Sequence, residues 1–326
     1  VNIDIERIGV DDLDLTTAGE LAAIDNAALE RTVRRHHTAR TLLLECRDYG
    51  TEGPLEGLWL GRLDGRLVGY AGLTLNLYEN LDGAKILGAV HPDHQRHGMG
   101  RALLEAAEAA TDRPRLRAPA WAGTAGEQAV PRLGYTREGS HQVRRLSLAA
   151  TQPAGLVAGA ERAASAYLLE RLVGPCPDER LGEMQVLREA INDAPEPGDF
   201  QAFPSARIRQ TERWLAGQEQ TPYTIVARHR DTGEPAGLTI VCVHELRPAI
   251  AAQEDTSVLA PHRGHRLGLR LKLAMLAWLR EERPDVEDID TWNVPGNAPM
   301  IAINDALGCT VVAETIAFRK QREGTR

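Results

Sequence analysis

The sequence predicts an α/β protein made of two copies of one plan, with strands and helices alternating through each. Three observations predict it. Turn and loop residues recur at one fixed spacing: Gly65 and Gly233, Gly69 and Gly237, Val90 and Val258, Gln95 and Arg263, and Gly100 and Gly268 all stand 168 residues apart. Each copy holds a hairpin signature, two apolar runs around Asp64-Gly65 or Thr232-Gly233. In each copy an apolar strand also ends in a polar, glycine-bearing loop that feeds a helical pattern: "VHPDHQRHGMGRALL" at 90–104 and "VLAPHRGHRLGLRLK" at 258–272. Later anchors drift. Trp121 matches Trp292 and Leu133-Gly134 matches Leu307-Gly308, so the first copy lacks a few residues between its loop and Gly134.

The elements follow in order. An alternating strand over 2–8 precedes two helices inside 16–46. The hairpin takes 57–63 and 66–77. Strand 84–90 leads through the loop into helix 98–111. Strand 115–118, a short helix near 124–132, and strands 135–138 and 140–148 complete the copy. "AATQPAGLVAG" (149–159) has the small, turn-prone composition of a linker. The expected division is therefore 1–150, a linker at 151–160, and 161–326. In the second copy "ERAASAYLLERLVG" fits strand or helix, because periodicity does not decide. "ERLGEMQVLREAI" and "SARIRQTERWLAGQ" read as helices around an ordered loop, "INDAPEPGDF". A hairpin, strand 254–259, helix 267–281, strand 286–292, helix 297–307 and final strands follow.

Bulk properties bound the function. The chain has 326 residues, 43% hydrophobic and 26% charged, which suits a globular protein of about two domains. A net charge of −8 argues against nucleic acid as the main partner, since phosphate binding wants a basic surface. No apolar run approaches the ~18 residues of a membrane helix. The acidic start "VNIDIERIGVDD" is unlike a signal peptide. Cys46, Cys176, Cys242 and Cys309 are far apart, so buried free thiols in a reducing cytoplasm are expected. Lysine stands only at Lys85, Lys272 and Lys320.

The two loops carry the chemistry. A glycine loop opening a helix presents backbone N–H groups that have no helical partner, together with the positive end of the helix dipole. Glycine lets an anion approach closely. Gln95-x-x-Gly98-x-Gly100 is neither a dinucleotide fingerprint nor a Walker loop. With "VHP" before it, a helix after it and "LGY" downstream, it resembles the acyl-CoA-dependent N-acyltransferases of the GNAT family, whose Gln/Arg-x-x-Gly-x-Gly/Ala loop wraps the pyrophosphate of coenzyme A. "TWNVPGNAPMIAINDALGC" (291–309) resembles that family's second signature, in which an Asn opens the helix lining the pantetheine arm. The resemblance covers nearly the whole chain as two consecutive GNAT domains of the tandem actinobacterial type, similar to mycothiol synthase. It implies that each domain is a mixed, mostly antiparallel twisted sheet flanked by helices.

The resemblance also implies site residues. In the first copy coenzyme A would lie on Ala89 and Val90 and on the loop Gln95, Arg96, His97, Gly98, Met99, Gly100 and Arg101. In the second it would lie on Val258 and Leu259, on Arg263, Gly264, His265, Arg266, Leu267, Gly268 and Leu269, and on Asn293 and Asn297. The copies depart from the pattern differently. The first has Gly123 in the helix-opening Asn slot, and the second has Arg266 in a glycine slot. Acyl transfer to an amine needs a base, because an alkylammonium of pKa ~10 is no nucleophile near pH 7. Glu254 is the candidate base, since alternation puts it on one face with Thr256 and Val258; a solvated edge carboxylate is the plainer reading of the same residue. Asn304 occupies the slot of the family's usual Tyr acid, where Val130 stands in the first copy.

His91, His94 and His97 invite a metal reading, but no carboxylate or Cys cluster completes it, and no metal is expected. Tyr135 and Cys309 read as core. Trp121 and Trp292 read as structural residues at a strand end. The expected protein is a cytoplasmic acetyl-CoA-dependent N-acetyltransferase for a small-molecule amine, monomeric or homodimeric, with its chemistry in the second copy. A degenerate pair that only senses or holds acyl-CoA is the alternative. An aminoacyl-tRNA-dependent ligase would reuse the fold, but the acidic charge and the coenzyme-type loops count against it.

Overall fold

A computed structural model describes residues 2–29, 37–47, 55–150, 152–193 and 201–322. The chain divides into two compact units, Val1–His141 with Val312–Arg326, and Gln142–Val311.

In the first unit the strand order is β1 (Ile3–Ile8), β2 (Gly57–Leu63), β3 (Arg66–Leu75), β4 (Gly83–Val90), β5 (Arg115–Arg117) and then the C-terminal strand β13 (Thr310–Gln321). All neighbours are antiparallel except β4 and β5. Alternation along β2 builds two cores. Leu58 and Leu60 face α1 (Leu15–Leu29) and α2 (Ala39–Arg47), while Trp59 joins the core of α3 (Met99–Ala109) on the other face. Met99, Leu103, Leu104 and Ala107 give α3 its apolar stripe. Short strand β6 (Ala120–Trp121) also pairs with β13, and α4 (Ala125–Ala129) follows it.

In the second unit the order is the Gln142–Ser147 part of β7 (Thr136–Ser147), then β12 (Asp288–Asn293), β11 (Ile250–Val258), β10 (Pro235–His244), β9 (Gln220–His229) and β8 (Tyr167–Val173). Again only one pair, β11 and β12, is parallel. Helices α6 (Leu181–Glu189) and α7 (Ser205–Gly217) pack with Leu238, Ile240 and Cys242 on one face. Helices α8 (Leu267–Glu282) and α9 (Ala298–Leu307) cover the other face. The expected fold class, two mixed and mostly antiparallel sheets flanked by helices, is the one observed.

Three local expectations are corrected. The stretch read as a linker holds helix α5 (Ala154–Ala163), where the alanine content favours helix. Ala160 and Ala164 are fully buried there, and Arg280 donates to the carbonyls of Leu148 and Ala150 just upstream. The two strands expected over 135–148 are one, β7. Finally, β13 is one long strand that pairs with β5, burying Ile316 and Phe318 in the first unit's core. The ordered loop expected at 191–200 lies mostly outside the described residues. All four cysteines are buried and free.

Candidate active site

The two loops share one geometry, bond for bond. After β4, the His91 amide donates to the Val68 carbonyl at 2.8 Å; after β11, the Leu259 amide donates to Ala236 at 2.9 Å. Val68 and Ala236 each sit in a register shift of the neighbouring hairpin, so both copies use the same bulge to hold the loop's first residue. A short 3-10 turn follows in each, Pro92–His94 and Ala260–His262. Then the fingerprint side chain folds back onto its own strand. Gln95 Nε2 donates to the Val90 carbonyl at 3.1 Å, and Arg263 Nε donates to Val258 at 2.9 Å. Arg263 also pairs with Asp193 at 2.9 Å.

Two residues per loop then take positive φ, and here the copies trade glycine. The first loop has Arg96 at 69° and Gly98 at 87°, the second has Gly264 at 83° and Arg266 at 53°. Arg266 therefore keeps the left-handed conformation that its slot requires, at a cost of about 1–2 kcal/mol for a residue with a Cβ. Its guanidinium lies against α5, where a Cβ added to Gly159 would be 3.4 Å from Nη1. The helices start identically: Ala102 donates to Gly98 and Arg270 to Arg266, both at 3.0 Å. Residues 98–101 and 266–269 thus hold the first-turn amides that no helical carbonyl can satisfy. Met99 and Leu267 are buried beneath the two loops as anchors. His97 and His265 are exposed. Among the described residues, no group of three or more His, Cys, Asp or Glu is arranged to hold a metal ion.

The strands before the loops differ. In the first unit β4 pairs with β5 from Gly83 to Lys85, and the ladder ends there. Its pairing with β3 runs unbroken from Ala84 to Val90. In the second unit β11 pairs with β12 from Ile250 to Gln253, leaving residues 254–258 beyond the ladder's end. Its pairing with β10 slips: Gln253 stands opposite Val241 and Thr256 opposite Thr239. One extra residue is inserted on β11 at Glu254-Asp255. The bulge breaks the alternation expected there. Gln253 and Thr256, three residues apart, both bond Thr239 Oγ1 and so share the α8 face. Glu254, next to Gln253, is turned to the α6 face instead of joining Thr256 and Val258. Asp255 lies on that same α6 side and pairs with Arg188 of α6 at 2.7 Å. Burial alone would lower the Arg188 pKa; Asp255 and then Glu254 reverse this and hold it above the ordinary value. Glu254 is exposed, whereas Asp255 is mostly covered.

Behind β12 the second copy holds its asparagines in a network. Asn297 caps α9, its Oδ1 accepting from the Met300 amide at 3.3 Å. Asn304, fully buried, donates to Asn293 Oδ1 at 2.8 Å and accepts from Lys272 Nζ at 3.0 Å. The first copy has no such set. At its equivalent place the Gly123 amide donates to Glu127, and α4 gives way to a 3-10 turn after five residues. Sequence patterns alone do not point to Lys272, Arg188 or the structural role of Gln253. Lys272 shows only as a lone lysine inside the apolar run "LKLAMLAWL".

In both units a strand leaves its parallel neighbour, runs into a left-handed loop and then opens a helix. Residues 54–137 match the model of the acetyltransferase (GNAT) domain, so the chain carries a GNAT domain there. Its fold as a whole is that of tandem GNAT proteins. It is similar to a tandem GNAT protein from the clavulanic acid biosynthesis pathway, in a structure without AcCoA, with 26% identity, 100% of each chain covered and a TM-score of 0.79. It also shares its fold with a GCN5-related N-acetyltransferase from Sphaerobacter thermophilus, with 20% identity, 99% of this chain and 96% of that one covered, and a TM-score of 0.69. A third similar fold is the glucosamine N-acetyltransferase region of a fungal multi-domain GH3 β-N-acetylglucosaminidase, with 14% identity, TM-score 0.66, and 97% of this chain but 38% of that one covered. No curated protein sequence matches the chain. No described helix is long and apolar enough to cross a membrane.

Proposed function

We propose that this protein is an acetyl-CoA-dependent N-acetyltransferase that transfers the acetyl group directly to the amine of a small molecule, with the chemistry in the second copy. The observation that carries this reading is the bulge at Glu254-Asp255. It lies where β11 leaves β12, one strand-end away from the loop at 259–266, and it turns an exposed carboxylate toward α6.

The residues fit acetyl-CoA. The amides of Arg266, Leu267, Gly268 and Leu269, with the dipole of α8 behind them, suit a pyrophosphate. The backbone of β11 beyond Gln253, released from β12, suits an amide-bearing arm. Asn293 and Asn297 line the far side. Bound acetyl-CoA supplies an acyl group activated as a thioester. An amine reaching the opening from the α6 side meets Glu254, which takes its proton as the nitrogen attacks the thioester carbonyl; the C–S bond then breaks and the thiolate of coenzyme A leaves, taking its proton from water. Asp255 is mostly covered against Arg188, whereas Glu254 is exposed, so Asp255 is the poorer base for an incoming amine. Backbone N–H groups of β11 past the ladder's end are the donors available to the acyl carbonyl.

The first loop has the same backbone geometry without a bulge or a comparable carboxylate on β4, which supports a ligand-holding role for that copy. The test is thiol release from acetyl-CoA against a panel of small amines. Glu254→Gln and Gly268→Trp should each lower turnover by at least 100-fold, while Gly100→Trp retains it. The opposite sensitivity would place the chemistry in the first copy. Stoichiometric acetyl-CoA binding with no thiol release from any amine would make the chain a sensor and refute the enzyme.

A further inference from the structure

Among the described residues of the second unit, Lys272 is the least exposed charge. It is 6% exposed in the middle of α8 and lines a small cavity with Gln253, Thr291, Leu307 and Cys309. An ammonium at such a site is expensive, so its one short bond to a side chain carries weight. A lysine only donates. The atom of Asn304 facing Lys272 Nζ must therefore be the carbonyl Oδ1, which leaves Asn304 Nδ2 as the donor to Asn293. The atom of Asn293 that meets it must then be Oδ1. A chain of three residues thus sets the sense of an amide that is otherwise free to flip. The remaining atom, Asn293 Nδ2, has no hydrogen-bond partner among the described residues. Asn293 is the last residue of β12, two beyond Thr291, where the ladder with β11 ends.

We propose that Lys272 is a positioning residue: acting through Asn304, it makes Asn293 present N–H donors, not a carbonyl, to an amide-bearing acyl carrier lying between β11 and β12. The inference rests on the reading that the second copy binds acetyl-CoA. It also gives Asn304 a task. Its donor is committed to Asn293, so Asn304 orients the site and protonates nothing. Val130 and Leu104 occupy the Asn304 and Lys272 positions in the first copy, so the device belongs to the second alone.

The decisive variant is Asn304→Asp. A carboxylate keeps a partner for Lys272 and so spares the fold, but it offers Asn293 no donor. Steady-state kinetics should show the KM for acetyl-CoA raised about tenfold, with kcat and the KM for the amine within twofold of wild type. Lys272→Met should give the same split in a chain whose circular dichroism is unchanged. A merely structural role would lower the active fraction, and hence kcat, and leave KM alone. An Asn304→Asp enzyme with its acetyl-CoA KM within twofold of wild type overturns the inference. Calorimetry separates the two failures. If Gly268→Trp leaves acetyl-CoA binding intact, the second copy is not the binding site and both readings fall. These arms are read in a Gly100→Trp background, which blocks the first loop: if Gly268→Trp there abolishes binding while Asn304→Asp leaves affinity unchanged, only the positioning role falls.

Discussion

Asp255→Asn acts directly on the bulge. The Arg188 and Asp255 side chains are 11% and 13% exposed and pair at 2.7 Å. Removing one member of a buried pair strands the other charge, typically at a cost of 3–5 kcal/mol. Two features here soften the loss. The Arg188 guanidinium stacks 4.6 Å from the Phe203 ring, and Glu254 also acts on it favourably. The lower end of the range, about 3 kcal/mol, is therefore expected. With a urea slope of about 2 kcal/mol per molar, the midpoint should fall by about 1.5 M. Tryptophan fluorescence reads the transition, because Trp214, Trp278 and Trp292 all lie in this unit. Arg188→Met with Asp255→Leu removes both charges and should return to within about 1 kcal/mol of wild type. A single variant shifted by less than about 0.3 M, or a double variant as damaged as the single, would refute the account of the pair.

Two further outcomes follow from burial. Burial lowers the Lys272 pKa from 10.5 to about 8, with Cys309 opposing slightly. Below pH 8 the folded state carries the full penalty of a buried ammonium. Between about 8 and 10.5 the unfolded chain binds more protons than the folded one, so this group makes stability rise with pH, by on the order of 3 kcal/mol in all. Urea midpoints of wild type and Lys272→Met compared from pH 7 to 10.5 check this, and parallel curves would contradict it. Separately, Phe318→Ala should cost about 3–5 kcal/mol and be felt in the first unit. Hydrogen exchange should quicken in β2–β4 and not in β9–β11, and the reverse pattern would misplace β13.

Much of this was legible in the sequence because it is local. The 168-residue echo, the hairpins, the glycine loops and the asparagine that caps α9 are written in short runs whose periodicity or turn chemistry is direct. Arg266 looked like a departure from the pattern until its φ of 53° placed it in the conformation that the glycine slot demands. The bulge was not legible: Gln253, Glu254, Asp255 and Thr256 are all polar, so alternation carries no hydrophobic mark that a one-residue insertion would shift. The Lys272–Asn304–Asn293 chain joins residues from α8, α9 and β12, and spacing alone does not reveal such a meeting. The destination of β13 depends on which edge is open in the folded sheet, and no local pattern encodes that.

The placement of β13 also bears on how the molecule is made. The first unit holds Val1–His141 together with Val312–Arg326. During synthesis its early strands emerge first, yet its edge beside β5 stays open until residues 310–321 have been made. Domains usually fold one by one as they leave the tunnel. Here the unit translated first is finished last, and it must wait through the whole of its neighbour's translation with one strand's worth of backbone uncovered. A gene cut between the two copies would not yield two working halves, because the first half would be missing a strand that only the second half encodes.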